Sequence, residues 1–235
     1  MKLFTNKKQL QTEIRKFNNI SFVPTMGALH RGHESIIRKS VKGSGKTLVS
    51  IFVNPKQFNN KKDLNTYPRN NKNDAKILRK LKVHYLYKPT YDDIYKFKTE
   101  KKIYLDKFSK ELCGQFRKGH FKGVIDVVNR FLEIIKPKTI LLGNKDFQQL
   151  YLIKKHIKKN KIKTKVFPCK TIRDKHFIAY SSRLNKLDYV EKIKLIQVIK
   201  FLKRYKKNLL SKKQIFNFNK IKKKIMSMGV NKVDY

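Results

Sequence analysis

Two histidines three residues apart, in the segment PTMGALHRGH, have the chemistry and spacing to handle a phosphate group. His30 and His33 flank Gly32; the segment follows the strand-like run Ile20–Val23 and precedes a helix predicted to begin near Glu34. A turn from strand to helix directs backbone N–H groups and the positive end of the helix dipole toward an anion. The segment therefore predicts phosphate binding. The alternative is a helix start with two surface histidines.

Zinc binding is a weaker alternative for the same segment. Only two candidate ligands are close together, and His120 and His156 lack a recognisable zinc-ligand spacing. The glycines at 27 and 32 instead suit close approach of a ligand to the backbone.

Polar amides follow the next strand-like run, Thr47–Val53. The run ends at Asn54-Pro55, and Gln57 follows two residues later. Ligands of open α/β sheets bind at the carboxyl ends of the strands, and an amide both donates and accepts hydrogen bonds. Asn54 and Gln57 are therefore predicted to recognise a substrate through hydrogen bonds. In the alternative interpretation these amides cap backbone groups in a strand-ending turn.

Two further polar segments complete the set. GNKDFQQL follows the strand-like run Thr139–Leu142; Lys145 offers a charge for phosphate, Asp146 is placed to N-cap the next helix, and Gln149 falls on its first turn. AYSSR offers two hydroxyls and Arg183, which suit phosphate binding from a mobile loop.

The elements that must position these residues form an α/β pattern. Apolar β-rich runs alternate with helical periods over about three quarters of the chain, which predicts parallel strands joined by crossover helices. Val83–Tyr87 adds a fourth strand, and Gly123–Ile135 is a clear amphipathic helix. We expect a Rossmann-like parallel sheet with flanking helices.

The pattern changes near Ser182–Leu187. Two lysine-rich amphipathic helices are predicted beyond it, over Glu191–Tyr205 and Ser211–Met228, without intervening strands. The prediction is therefore a catalytic domain over residues 1–183 and a small, mostly helical domain over residues 184–235.

Charge is the strongest compositional bias. The 235 residues include 59 Lys and Arg against 16 Asp and Glu, a formal net charge of +43. Such a field attracts polyanions nonspecifically, but the lysines are spread evenly from Lys2 to Lys232, which favours codon drift over a dedicated nucleic-acid surface. Two cysteines, no secretory segment and no membrane-spanning run predict a soluble cytoplasmic protein.

The sequence resembles the pantothenate synthetase family in six motifs that occur in the family's order. These are PTMGALHRGH, SIFVNPKQF, DLNTYPR, FRKGHFKGV, GNKDFQQL and AYSSR. The resemblance runs from about Ile20 to Arg183 and implies the nucleotidyltransferase fold with its His-x-Gly-His motif. It also implies a ligase, active as a homodimer, that converts ATP and D-pantoate to pantoyl adenylate and pyrophosphate. β-Alanine then attacks the adenylate to give pantothenate and AMP.

The resemblance also implies roles for individual residues. His30, His33 and Lys145 are the expected catalytic residues. The expected ATP-binding residues are Met26, Gly27, His30, His33, Gly143, Lys145, Asp146, Ser181, Ser182 and Arg183. The expected pantoate-binding residues are Asn54, Gln57 and Gln149, and the residues expected on the β-alanine side are Arg117 and His120. Mg²⁺ is expected with ATP, and Asp74 is the candidate protein contact because the family's preceding acidic residue is Asn73 here.

Several positions depart from the family pattern. Asn144 stands in place of the usual glutamate, and Tyr180 stands in place of the usual methionine. His176-Phe177 stands where relatives carry an Asp-Gly turn. A turn with positive φ at that position would therefore be strained or replaced. Relatives continue past a Val-Asp-Tyr segment, whereas this sequence stops at Tyr235. The expected lid is therefore shortened, and we expect more of the adenylate to be lost to hydrolysis.

Two other functions compete with the ligase. One is a basic nucleic-acid-binding protein on a decayed nucleotidyltransferase scaffold, and the other is a different adenylyltransferase with the same phosphate motifs. Retention of Gln57, Lys145, Asp146 and Gln149 opposes the first, since polyanion binding does not require them. The paired glutamines and the NPKQF string favour pantoate over other acids.

Overall fold

A six-stranded parallel sheet forms the centre of the computed structural model, which describes residues 1–212 and 215–235. Its strands are β1 (Lys2–Phe4), β2 (Ile20–Thr25), β3 (Lys46–Ile51), β4 (Tyr85–Tyr87), β5 (Thr139–Gly143) and β6 (Lys165–Cys169). They lie in the order β1-β4-β3-β2-β5-β6, and every paired neighbour is parallel. The predicted Rossmann-like α/β class is therefore confirmed.

Among the described residues, eight α-helices lie between successive strands as crossovers, and two follow the last strand. They are α1 (Lys7–Ile14), α2 (Arg31–Val41), α3 (Lys61–Asn65), α4 (Asn71–Lys80), α5 (Tyr91–Tyr95), α6 (Cys113–Phe116), α7 (His120–Ile135), α8 (Phe147–Lys159), α9 (Tyr189–Leu210) and α10 (Phe218–Ser227). Short 3-10 turns lie at Pro55–Gln57, Lys107–Lys110, Asn144–Asp146 and Leu184–Lys186.

The central strands are apolar because helices cover both faces of the sheet. One core cluster joins the strands to α1, α7 and α8 through residues such as Leu10, Phe131 and Ile153. A second cluster, on α2 and α4, includes Ile37 and Leu78. Strands buried on both sides read as continuous apolar runs, which is why β2 and β3 were predictable within one or two residues.

Both edge strands and α1 were missed by sequence reasoning. Lys2–Phe4 is only three residues long, and most of Lys165–Cys169 is exposed, so neither gives a buried apolar run. An edge strand has one neighbour, and its side chains need not be hydrophobic.

The chain divides into two compact units, Met1–Thr171 and Ile172–Tyr235. This division falls before the AYSSR segment, whereas the predicted boundary falls after it. The second unit contains α9 and α10 and a small core of Val198, Tyr205, Ile221 and Ile225.

The C-terminal region is helical, as predicted, with different bounds. Helix α9 is longer than the prediction of 191–205, and α10 begins at Phe218 instead of Ser211. Asn217 caps α10 by accepting from the backbone N–H of Lys220. Lys213 and Gln214, part of the predicted second helix, lie outside the described residues. In the described part of the chain, no helix is long and apolar enough to cross a membrane.

Candidate active site

The loops after β2 and β5 meet at the carboxyl edge of the sheet. The two strands are neighbours, and the chain leaves them in opposite directions, through α2 to β3 and through α8 to β6. Such a point of reversal opens a crevice where ligands of α/β proteins bind. The first and third polar segments predicted from the sequence therefore face one crevice.

His30 and His33 stack on each other with 4.0 Å between ring centroids. Helix α2 begins at Arg31, earlier than predicted, with His30 as its N-cap. The Nδ1 atom of His30 accepts a 3.1 Å hydrogen bond from the backbone N–H of Gly32, so the ring proton lies on Nε2. The buried Nδ1 of His33 has no hydrogen-bond partner among the described residues.

Burial keeps both rings uncharged. Burial is the main cause that lowers the pKa of His33 to about 3, and repulsion from His30, when that ring is protonated, and from Lys145 adds to it. Burial and then the charge of Lys145 also lower the pKa of His30 below its ordinary value. At neutral pH each imidazole is therefore a neutral donor of one N–H, and Lys145 supplies the positive charge.

Lys145 is exposed, and its Nζ lies 3.2 Å from Oδ1 of Asp146. An exposed pair of this kind is weak, so a phosphate can compete for the lysine. Asp146 does occupy the N-cap position of α8, but its side chain makes no capping hydrogen bond. Gln149 lies half-buried on the first turn of α8, as predicted, and Gly143 ends β5.

The amide of Asn54 is buried, with 1% of its surface exposed, and is fully used within the protein. Its Nδ2 donates to the carbonyl of Gly123 and to Oε1 of Gln57, at 3.0 and 3.3 Å. Its Oδ1 accepts from the backbone N–H of Lys56 and from the hydroxyl of Tyr95, at 3.2 and 2.7 Å. All four hydrogen-bonding positions are taken, so this geometry positions Gln57. A direct contact between Asn54 and pantoate stays a prediction that requires one of these bonds to break.

Gln57 joins the second polar segment to the first. Its Nε2 lies 2.9 Å from the sulfur of Met26, in the loop that follows β2. A thioether is a weak acceptor, so this amide group can exchange Met26 for a stronger one. The side-chain oxygen of Gln57 is thus held by Asn54, whereas its side-chain NH2 group can exchange Met26 for a ligand.

The FRKGHFKGV segment packs against the backbone next to Gln57. His120 contacts the backbone carbonyl of Gln57 through Nδ1 at 2.7 Å. Its Nε2 contacts the Arg117 guanidinium at 3.0 Å. Because Arg117 can only donate, Nδ1 carries the proton of His120. Any side chain at Gly123 would collide with the carbonyl of Lys56, so α7 can pack this closely only with glycine there.

Sequence reasoning missed Tyr95, which donates to Asn54 from 41 residues away. Lys56 Nζ lies 3.8 Å from the centre of its ring, and the Arg130 guanidinium 4.9 Å. Asp126 accepts from both of these cations. No local signal marks Tyr95, because the contact exists only once α5 and the loop after β3 are brought together.

Asp74 does not fit the predicted magnesium contact. Its side chain is only 1% exposed, and its two oxygens accept from the backbone N–H groups of Ala28 and Leu29, at 2.9 and 2.8 Å. The described residues also contain no group of three or more His, Cys, Asp or Glu side chains placed to hold a metal. The carboxylate is occupied by the turn that leads to His30.

The AYSSR segment belongs to the second unit. The hydroxyl oxygen of Ser181 accepts a 3.3 Å hydrogen bond from the backbone N–H of Arg183. Upstream, Phe177 adopts φ +66°, so the turn with positive φ is kept without glycine and is strained. Asp174 supports it by accepting from the backbone N–H groups of His176 and Ile178.

A parallel sheet whose point of reversal carries two neutral histidines and a lysine defines an α/β enzyme that handles a phosphate-bearing ligand. The family model described as Pantoate-beta-alanine ligase matches residues 2–235. The chain therefore belongs to the pantoate-beta-alanine ligase family, and it is a ligase.

Relatives and solved structures agree with this assignment. The chain is 40% identical over 213 residues to the pantothenate synthetase of Flavobacterium psychrophilum, covering 88% of this chain and 76% of that one. It is 37% identical over 241 residues to the enzyme of Endomicrobium trichonymphae, covering 100% and 84%. A crystal structure of the Francisella tularensis pantoate-beta-alanine ligase, complexed with beta-gamma ATP and beta-alanine, matches with a TM-score of 0.86 at 36% identity, covering 97% and 86%.

Proposed function

We propose that this chain joins D-pantoate to β-alanine at the expense of ATP. A pantoate carboxylate oxygen attacks the α-phosphorus of ATP, which forms pantoyl adenylate and releases pyrophosphate. The amine of β-alanine then attacks the acyl carbon, and the bond to AMP breaks as the amide of pantothenate forms. The observation that carries this proposal is the meeting, at one sheet edge, of the polar segments that follow β2, β3 and β5.

The phosphates of ATP are the ligand for the histidine turn. His30 and His33 each offer a neutral N–H, and Lys145 offers a charge, so together they stabilise the negative charge that develops as pyrophosphate departs. Met26, Gly27 and Gly143 line the nucleotide, Asp146 contacts the ribose region, and Ser181, Ser182 and Arg183 bind the phosphates.

Pantoate and β-alanine occupy the neighbouring part of the same edge. Gln57 and Gln149 bind the hydroxyls and carboxylate of pantoate, and Asn54 holds Gln57 in place. Arg117 and His120 serve the β-alanine side, where the guanidinium suits a carboxylate. The hydrogen bond from His120 to the Gln57 backbone ties this part of the site to the pantoate side.

Other parts of the proposal concern the setting of the reaction. Mg²⁺ enters with ATP on its phosphates, and the described residues contain no group of three or more His, Cys, Asp or Glu side chains placed to hold it. We expect a homodimer in the cytoplasm. The net charge of +43 adds nonspecific binding of polyanions. Membership of the ligase family does not favour nucleic-acid binding as the main function.

The test is an incubation of the purified chain with ATP, Mg²⁺ and D-pantoate, with and without β-alanine. Pyrophosphate, AMP and pantothenate are followed by mass spectrometry. We expect pantothenate only when all substrates are present. A folded protein that forms no pyrophosphate with pantoate would contradict the proposal, and turnover of another carboxylic acid in its place would indicate a different adenylyltransferase.

A further inference from the structure

Asp74 is a buried carboxylate that binds backbone instead of solvent or another side chain. It lies in the first turn of α4, and its own N–H donates to the Asn70 carbonyl at 2.8 Å. Its Oδ2 accepts from Ala28 N and its Oδ1 from Leu29 N, 46 and 45 residues away in sequence. A buried charge is costly unless it is fully hydrogen-bonded, so two charge-assisted bonds to one turn are a built contact.

The turn that Asp74 binds has an unfavourable backbone. Gly27 has φ +82° and Ala28 has φ +50°, two successive residues in the left-handed region. Successive N–H groups in such a turn form a concave site for an anion, and a non-glycine residue such as Ala28 is strained in this conformation. The fit is close, since a Cβ on Gly27 would lie 3.0 Å from Oδ2 of Asp74.

The same turn sets where the histidines lie. The second bound N–H group belongs to Leu29, which directly precedes His30, and His30 caps α2 and stacks on His33. Because the turn is short and α2 is stiff, a shift of the Asp74 carboxylate moves both imidazoles relative to Lys145.

We propose that Asp74 is a positioning residue that holds the turn from Gly27 to Leu29 in its left-handed form and thereby aims His30 and His33 at the ATP phosphates. This rests on the proposed function. Asp74 acts through its hydrogen bonds to the backbone and does not bind Mg²⁺, since both oxygens are taken and the side chain is buried.

The variant that tests this is Asp74→Asn, which keeps the shape of the side chain but turns the NH2 group of an amide, itself a donor, toward one of the two backbone N–H donors. We expect kcat for pyrophosphate release to fall about tenfold or more, as for loss of a hydrogen bond to a charged group. The Mg²⁺ concentration for half-maximal rate should stay unchanged, and excess Mg²⁺ should not restore the rate. Asp92→Asn, which removes the same charge from the exposed surface of α5, is the matched control and should keep the wild-type rate.

A folded Asp74→Asn enzyme with wild-type kcat would overturn the proposal. So would a higher Mg²⁺ requirement with recovery at excess Mg²⁺, which is the behaviour of a metal ligand. Thermal unfolding of both variants establishes that the comparison is made between folded proteins.

Hydrogen exchange of the wild-type chain gives a second test that needs no variant. The amide protons of Ala28 and Leu29 should be protected, and adding Mg²⁺ without ATP should leave them protected. Rapid exchange of both amides, or their release by Mg²⁺, would overturn the proposal. If the wild-type chain turns over no pantoate while these amides stay protected, the proposed function fails. The hydrogen bonds by which Asp74 holds the turn from Gly27 to Leu29 are then still supported.

Discussion

Polar contacts at the carboxyl edge of the sheet join distant parts of the chain, whereas those of the helical second unit are mostly local. Asn54 contacts Gly123 across 69 residues, and Asp74 contacts Ala28 across 46. In the second unit, Asp188 and Glu191 cap α9 across three residues, and Tyr205 reaches Ile215 across ten. A site built from long-range bonds is rigid only while the whole sheet is folded. A region built from local bonds keeps its shape with a small core.

The largest expected effect is at the phosphate-binding turn. His33→Ala or Lys145→Ala should lower the rate of pyrophosphate release on the order of 10²-fold or more, because each removes a contact to developing charge. The matched change in the second unit is Lys224→Ala, on the exposed side of α10, which should leave the rate unchanged. Equal losses for Lys145→Ala and Lys224→Ala would mean that general charge, and not the site, drives the reaction.

The next effect comes from the close packing of α7 on the loop after β3. Gly123→Ala places a methyl group against the Lys56 carbonyl, and Gly45→Ala places one against the Asn19 carbonyl at the opposite edge of the sheet. Each should lower the free energy of unfolding by about 1–3 kcal/mol. Only Gly123→Ala should also raise KM for pantoate, because it displaces Gln57. The same KM for both variants would contradict the role of this packing in the site.

A smaller effect is expected from two hydrogen-bonded tyrosine hydroxyls, one in each unit. Tyr95→Phe frees the Asn54 amide and should raise KM for pantoate several-fold with little change in kcat, by loss of about 1 kcal/mol of hydrogen bonding. Tyr205→Phe removes bonds to Ile215 and Asn217 and should lower stability by a similar amount with no change in KM. Steady-state kinetics and chemical denaturation separate the two outcomes. A kcat loss without a KM change in Tyr95→Phe would place Tyr95 outside pantoate binding.

The smallest effect concerns the strained turn of the second unit. Phe177→Gly and Phe177→Ala both lose the contact between the aromatic ring and Lys203, whose Nζ lies 3.0 Å from the ring centre. Only glycine relieves the positive φ, so Phe177→Gly should be more stable than Phe177→Ala by about 1 kcal/mol in thermal unfolding. An alanine variant as stable as the glycine variant would show that the turn has moved to another conformation.

The sequence by itself determined the parallel α/β fold and the ends of the strands where the site lies. Buried central strands are apolar throughout, so β2, β3 and β5 and the polar residues after them are visible locally. His30, His33 and Lys145 were identified in this way and lie together in the crevice. Their residue types carry their chemistry, and the neighbouring strands fix their proximity.

Only the tertiary structure decided what the other polar side chains contact. Asp74 was predicted to meet a metal because a carboxylate commonly does, yet its partners are two backbone N–H groups of a distant turn. Tyr95 carried no signal at all, and Asn54 proved to be saturated within the protein. The type of a hydrogen-bonding side chain determines which kinds of group it can bind. Which partner it finds across dozens of residues depends on how the strands are ordered, and a local sequence pattern does not contain that order.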